Sequence, residues 1–99
     1  MRINATKIFD LPCFDRCKSF YGKAKVYEID NGEKVLFSYN TPVCKIDENG
    51  AFCRLWSGES ATTTRHINSF LEFYNLAGGG LAWWRQQPAN RELKYYYLP

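Results

Sequence analysis

The sequence predicts an α+β fold, with an antiparallel sheet of four to six strands and one main amphipathic helix. Two Asn-Gly turn signals between alternating segments predict two hairpins, and residues 60–75 carry apolar side chains at a helical period. Further strands are expected near both termini, and a second short helix is a candidate after residue 80. The length of 99 residues suits one domain, 1–99.

The two turn signals divide the first half of the chain into strand pairs. Asp30-Asn31-Gly32 separates residues 24–29 from 34–39, and Asn49-Gly50 separates 43–47 from 51–56. Asn-Gly tolerates the positive φ angles of the tight turns that join antiparallel strands. Each pair is therefore predicted to form a hairpin.

The second hairpin has two possible registers. A two-residue Asn49-Gly50 loop would place Lys45 opposite Arg54, and would put Cys44 and Cys53 together on the other face. Like charges that face each other are unfavourable unless a partner lies between them. We favour a shifted register; the alternative is that this face meets a partner.

The main helix is predicted over residues 60–75. Ser60 or Thr62 is expected to cap it, because hydroxyl oxygens accept from the free N–H groups of a first turn. An apolar stripe lies at i, i+3, i+4 and i+7, with Thr63 in line with it and His66 and Phe73 at one margin; its members are Ile67, Phe70, Leu71 and Tyr74. The residues predicted to face away are Arg65, Asn68, Ser69 and Glu72.

The glycine run 78–80 is expected to end the helix, since glycine readily adopts the left-handed conformation. Residues 81–87 can form two further turns of helix. Trp83 and Trp84 point in different directions on any regular element, so at least one is expected in the core and the other partly exposed. Residues 93–98 are rich in β-forming types and predict a closing strand.

Composition and charge indicate a globular protein without a membrane span. No apolar run approaches the roughly 20 residues that a spanning helix needs, and residues 1–7 do not resemble a secretory signal. We therefore expect a cytoplasmic location. The net charge is +3, with a basic segment 1–25 and a mainly acidic segment 26–60. The basic segment is a candidate for polyanion contact.

The four cysteines do not predict a metal site. Cys13 and Cys17 have the spacing of half a zinc site, but Cys44 and Cys53 lie too far apart in sequence to complete it. We interpret Cys44 and Cys53 as small core residues, because each alternates with an apolar neighbour. No metal and no cofactor is expected.

The sequence contains no recognisable catalytic arrangement. His66 has no catalytic partner at a fixed spacing on its own helix, and nucleotide-binding and metalloprotease motifs are absent from the sequence. We interpret His66 as a structural residue and the protein as non-enzymatic.

A binding surface is better supported, since 17% of the residues are aromatic. Tryptophan, tyrosine and arginine are the side chains that most often anchor interfaces, and aromatic rings also stack on bases. The candidate binding residues are Arg54, Trp56, Arg65, Asn68, Glu72, Trp83, Trp84, Arg85 and Tyr96.

Several segments resemble a small domain of unknown function that occurs in phages and other mobile elements of bacteria. They are 38–43 (Ser-Tyr-Asn-Thr-Pro-Val), the pair Trp56-Ser57, 60–71 with its Thr-Thr-Arg-His-Ile-Asn core, and 78–84 with Gly-Gly-Gly-Leu-Ala-Trp-Trp. The resemblance implies a short accessory protein and supplies no catalytic residues. Residues 1–25 fall outside it.

Two functional hypotheses follow. The first is a phage or mobile-element protein in the bacterial host cell that binds a host protein or protein–nucleic-acid complex, inhibiting a defence system in the manner of anti-CRISPR proteins or acting on nucleic-acid processing. The second is a direct DNA- or RNA-binding module that uses the basic N-terminal segment and aromatic residues, with Arg54, Arg65 and Arg85 as phosphate contacts.

Overall fold

The computed structural model describes residues 5–12 and 23–88. In these residues the elements are β1 (Ala5–Asp10), β2 (Ala24–Ile29), β3 (Lys34–Ser38), β4 (Thr41–Ile46), β5 (Phe52–Arg54), α1 (Ala61–Phe73) and α2 (Leu81–Gln86). The strands form one antiparallel sheet in the order β1-β2-β3-β4-β5. The predicted α+β class is confirmed. The predicted strand 93–98, Tyr96, Cys13 and Cys17 lie outside the described residues.

The hairpin β2–β3 turns at Asn31-Gly32, as predicted. Gly32 has φ 98°, and its N–H donates to the carbonyl of Ile29 at 3.0 Å. The Asn31 side chain accepts from the Glu33 N–H at 3.0 Å and donates to the Glu33 carboxylate at 2.9 Å. These bonds stabilise the turn through the asparagine side chain of the Asn-Gly pair, on which the prediction was based.

The hairpin β4–β5 has the shifted register. Lys45 pairs with Cys53, and Cys44 pairs with Arg54. The loop has three residues, 48–50, and the Asp47 carboxylate accepts from the N–H groups of Asn49 and Ala51 at 2.9 and 2.8 Å. Lys45 and Arg54 therefore lie on opposite faces of the sheet.

The same register separates the two described cysteines. Cys44 is fully buried on the face that carries α1, which confirms its interpretation as a core residue. Cys53 is half-buried and pairs with Lys45 on the other face. Burial raises the pKa of both thiols, so both are protonated at neutral pH.

A third hairpin, β3–β4, was not predicted. Its two-residue turn is Tyr39-Asn40, with φ angles of 51° and 72°, between the paired residues Ser38 and Thr41. Asparagine is common at positive φ, whereas tyrosine is not. The sequence signal was weak because the first turn position carries a bulky side chain.

Helix α1 begins as predicted. The Ser60 side chain accepts from the N–H of Thr63 at 3.0 Å, so Ser60 and not Thr62 is the cap. The stripe residues Ile67, Phe70 and Leu71 are buried. The prediction that Ser69 faces solvent was wrong, because the buried arc of the helix extends beyond the stripe to include His66 and Ser69.

Apolar residues pack on both faces of the sheet. On one face, strand residues such as Val26, Leu36 and Cys44 pack with Phe70 of α1 and Trp84 of α2. The opposite face carries a second buried cluster: Ile29, Val35, Phe37 and Leu55. Beside this second cluster, Lys45 and Glu33 form a buried ion pair.

Arg54 ties β5 to the following loop and to α2. Its side chain is buried, and the guanidinium lies 4.3 Å from the centre of the Trp84 ring. The guanidinium N–H groups donate to five backbone carbonyls, at 2.8–3.3 Å: those of Trp56, Ser57, Gly58, Trp84 and Gln87. One side chain therefore supplies hydrogen bonds to carbonyls of two separate segments, the loop after β5 and the end of α2.

We expect Arg54→Ala to lower the free energy of unfolding by about 3 kcal/mol or more, because several carbonyls lose a charged donor at once. Arg54→Lys should restore little of this lost stability, since an ammonium cannot reproduce the planar donor geometry of the guanidinium. Urea denaturation measures both. The control is Arg65→Ala on the exposed face of α1, with an expected change within about 0.5 kcal/mol. An Arg54→Ala protein as stable as this control would contradict the assignment.

Candidate functional site

A cavity of about 410 Å³ opens where the β3–β4 turn, the loop before α1 and the first turn of α1 meet. Its lining residues are Ser38, Tyr39, Thr41, Val43, Trp56, Glu59, Ser60, Thr62 and Thr63. Hydroxyl groups and two aromatic rings dominate this lining. Its size lies within the range of small-molecule pockets, which begins at about 300 Å³.

A buried polar cluster forms the base of the cavity. The Ser38 hydroxyl lies 2.9 Å from His66 Nδ1 and 3.1 Å from Thr63 Oγ1. Sequence reasoning missed this contact, because Ser38 and His66 are separated by 28 residues and belong to different elements. No local spacing indicates such a pair.

His66 is a weak base in this environment. Burial, followed by the positive charges of Arg65 and Lys23, lowers its pKa to about 4. The imidazole is therefore neutral at pH 7, and a group with this pKa accepts a proton poorly. The low pKa fits a structural hydrogen bond between α1 and β3 better than activation of the Ser38 hydroxyl.

Tyr39 forms one lip of the cavity. Its side chain is 54% exposed, and its ring centre lies 5.7 Å from that of His66. The N–H of Tyr39 donates to the carbonyl of Lys23 at 2.8 Å, which holds the turn against the start of β2. A bulky residue at positive φ is strained, and such strain is concentrated at functional positions.

Trp56 and Glu59 come from the loop between β5 and α1. Trp56 is half-buried and packs against Gly58, where a Cβ atom would lie 2.5 Å from the indole. Glu59 accepts from Arg85 through two nitrogens, Nε at 2.9 Å and Nη2 at 2.7 Å. This hydrogen bonding lowers the pKa of Glu59, so the carboxylate is charged and paired with Arg85.

A second surface lies on the two helices. We define the helical face as Arg65, Asn68 and Glu72 of α1 with Leu81 and Arg85 of α2, all of which are exposed. Asn68 Oδ1 accepts from the N–H of Gly80 at 2.9 Å, which joins the end of the glycine run to α1. The predicted outward direction of the three α1 residues is confirmed.

The remaining candidate residues are more buried. Trp84 is 1% exposed, and its indole N–H donates to the Gly58 carbonyl at 2.8 Å. Trp83 is half-buried and packs 4.8 Å from the ring of Phe52. The expectation of one core and one partly exposed tryptophan is therefore confirmed. Arg54 is buried, so neither it nor Trp84 forms part of an open surface.

In the described part of the chain, no group of three or more histidine, cysteine, aspartate or glutamate residues could hold a metal ion. None of the helices described is long and apolar enough to cross a membrane.

The depressed pKa of His66 predicts a stability change with pH. The unfolded chain binds a proton near pH 6.5 and the folded chain only near pH 4, so stability rises with pH between these values and is lost as the pH falls through them. The loss should reach about 3 kcal/mol at pH 4. His66→Gln should remove this component, and urea denaturation between pH 4 and 7 would measure the difference. Equal pH slopes for both proteins would contradict the prediction.

Comparison with known proteins identifies a family without an assigned activity. No curated protein and no solved structure matches the chain. The model of a family of unknown function, DUF8033, matches residues 10–86, which include every described element from β2 to α2. The chain therefore belongs to this family of unknown function, DUF8033.

Proposed function

We propose that the protein is a non-enzymatic phage or mobile-element protein that binds a protein component of its bacterial host through the helical face. The target class is a host defence complex or a complex that processes nucleic acid. The segments that resemble a phage and mobile-element domain support this origin. The contacts within the helical face support binding of a partner through this face.

The observation that carries the proposal is the fixed geometry of this face. Asn68 is held by the Gly80 N–H, and Arg85 is held by hydrogen bonds from two of its nitrogens to Glu59. Side chains that are already ordered lose less conformational entropy when a partner binds. Leu81, 38% exposed, adds an apolar side chain to this face.

The charge of the face favours a protein over a polyanion. Arg65 and Arg85 are positive, while Glu72 on the face and the adjacent Glu59 are negative, so the formal charges cancel. Binding to nucleic acid draws most of its affinity from an excess of basic groups. Mixed charge around an apolar contact is typical of the rim of a protein interface.

The weak basicity of His66 argues against hydrolysis by the Ser38–His66 pair. A serine nucleophile needs a neighbouring base that accepts its proton near neutral pH. The Ser38–His66 pair has the required distance but not the required pKa.

The proposal is tested by affinity capture from host lysate, with nuclease treatment, using the wild-type protein and two face variants. Glu72→Lys reverses a charge, and Leu81→Asp places a charge on the apolar contact. We expect a nuclease-resistant protein to be retained by the wild type and reduced at least tenfold by each variant. Because the contact is not polyanionic, retention should change little between low and physiological salt.

The control variant is Lys25→Glu, which changes an exposed charge on β2 rather than on the helical face. It should retain the protein as the wild type does. Recovery of nucleic acid alone, or equal retention by all four proteins, would contradict the proposal.

A further inference from the structure

The cavity beside Tyr39 has features that the helical face does not use. Tyr39 occupies the first position of a turn in which both residues have positive φ, where glycine, asparagine or aspartate would be less strained. Its ring is nevertheless 54% exposed, so core packing does not account for the choice of residue. An exposed aromatic ring held at the lip of a cavity is a surface on which a flat group can stack.

The interior suits a neutral ring with both hydrogen-bond donors and acceptors. Trp56 supplies a second aromatic surface, and the hydroxyls of Thr41 and Thr62 can each donate or accept. Among the described residues of the lining, Glu59 is the one that carries a charge, and Arg85 compensates it. The volume of about 410 Å³ is sufficient for a group the size of a nucleoside.

An exposed lysine, Lys23, lies beside Tyr39. The Lys23 carbonyl accepts from the Tyr39 N–H at 2.8 Å, and the Tyr39 ring packs against His66. A cation beside an aromatic ring is an arrangement with which proteins hold a phosphate next to a stacked base. Lys23 does not belong to the helical face.

We infer that this cavity binds one unpaired nucleotide, with its base stacked on Tyr39 and Trp56 and its phosphate beside Lys23. The nucleotide has two possible sources, a free mononucleotide or a residue of single-stranded nucleic acid. The chemistry of recognition is the same for both. The inference concerns a different site from the helical face and does not rest on the proposed function.

The test is a calorimetric titration of the whole protein with the four ribonucleoside 5′-monophosphates, with a ten-nucleotide oligo-U and oligo-dT, and with a ten-base-pair duplex. Binding of a monophosphate that an oligomer does not improve would support a free nucleotide. Tighter binding of an oligomer than of the duplex by at least tenfold would support a strand. Binding of none of these probes, or preference for the duplex, would overturn the inference.

Tyr39→Asn separates binding from folding. Asparagine adopts positive φ more readily, so this variant should have a melting temperature equal to or above that of the wild type. Loss of the stacking ring should weaken binding of the probe by about tenfold or more. Wild-type affinity in this folded variant would overturn the inference.

Lys23→Gln tests the phosphate contact. It should weaken binding and reduce the slope of log affinity against log salt by about one for an oligomer. The matched controls are Lys25→Gln, a nearby lysine on β2, and Phe73→Leu, an exposed aromatic residue at the end of α1. Both should leave affinity and slope unchanged, and an equal effect of Lys25→Gln would overturn the assignment of Lys23.

The two sites are distinguished by their variants. Glu72→Lys and Leu81→Asp, which should abolish capture of a protein partner, should leave the nucleotide affinity within twofold of wild type. A parallel loss of nucleotide binding in these variants would contradict a separate site.

Discussion

The buried guanidinium of Arg54 is the interaction on which the functional surfaces depend. Residues 55–59, between β5 and α1, form no regular structure, so their carbonyls lie outside the backbone hydrogen-bond ladders of the helices and the sheet. Arg54 supplies donors to three of them and to two carbonyls at the end of α2. It thereby fixes the loop that carries Trp56 and Glu59, and the helix that brings Arg85 to Glu59. The positions of the residues in both the cavity and the helical face therefore depend on one side chain.

The register of β4–β5 makes this role possible. A slip by one residue would place Lys45 and Arg54 on the same face and reverse every side chain of β5. In the observed register Arg54 points toward α2, where it donates to carbonyls and lies against the Trp84 ring. Lys45 pairs with Glu33 on the other face. A buried charge is tolerated when it is paired or fully hydrogen-bonded, and each face meets this condition separately.

Features with local signals were predictable from the sequence, whereas features built by distant residues were not. The Asn-Gly turns, the Ser60 cap and the stripe of α1 each depend on neighbours within a few positions, and all are present. Arginine is usually exposed, so the burial of Arg54 had no local signal. The Ser38–His66 contact joins two elements far apart in sequence, and the cavity itself arises where three segments converge. A single sequence contains no pattern for such convergence.

The β3–β4 turn shows why a failed prediction can indicate a site. Turn chemistry favours glycine, asparagine or aspartate at both central positions, and Asn40 satisfies this at the second. Tyr39 breaks the rule at the first position, at a cost of about 1 kcal/mol or more for a strained backbone. Its ring lies over His66 but remains more than half exposed, so the packing gained is small. Tyr39 opposes the local turn preference and gains little packing in the core. Its presence at this position is therefore better explained by binding of a ligand to its exposed ring than by folding.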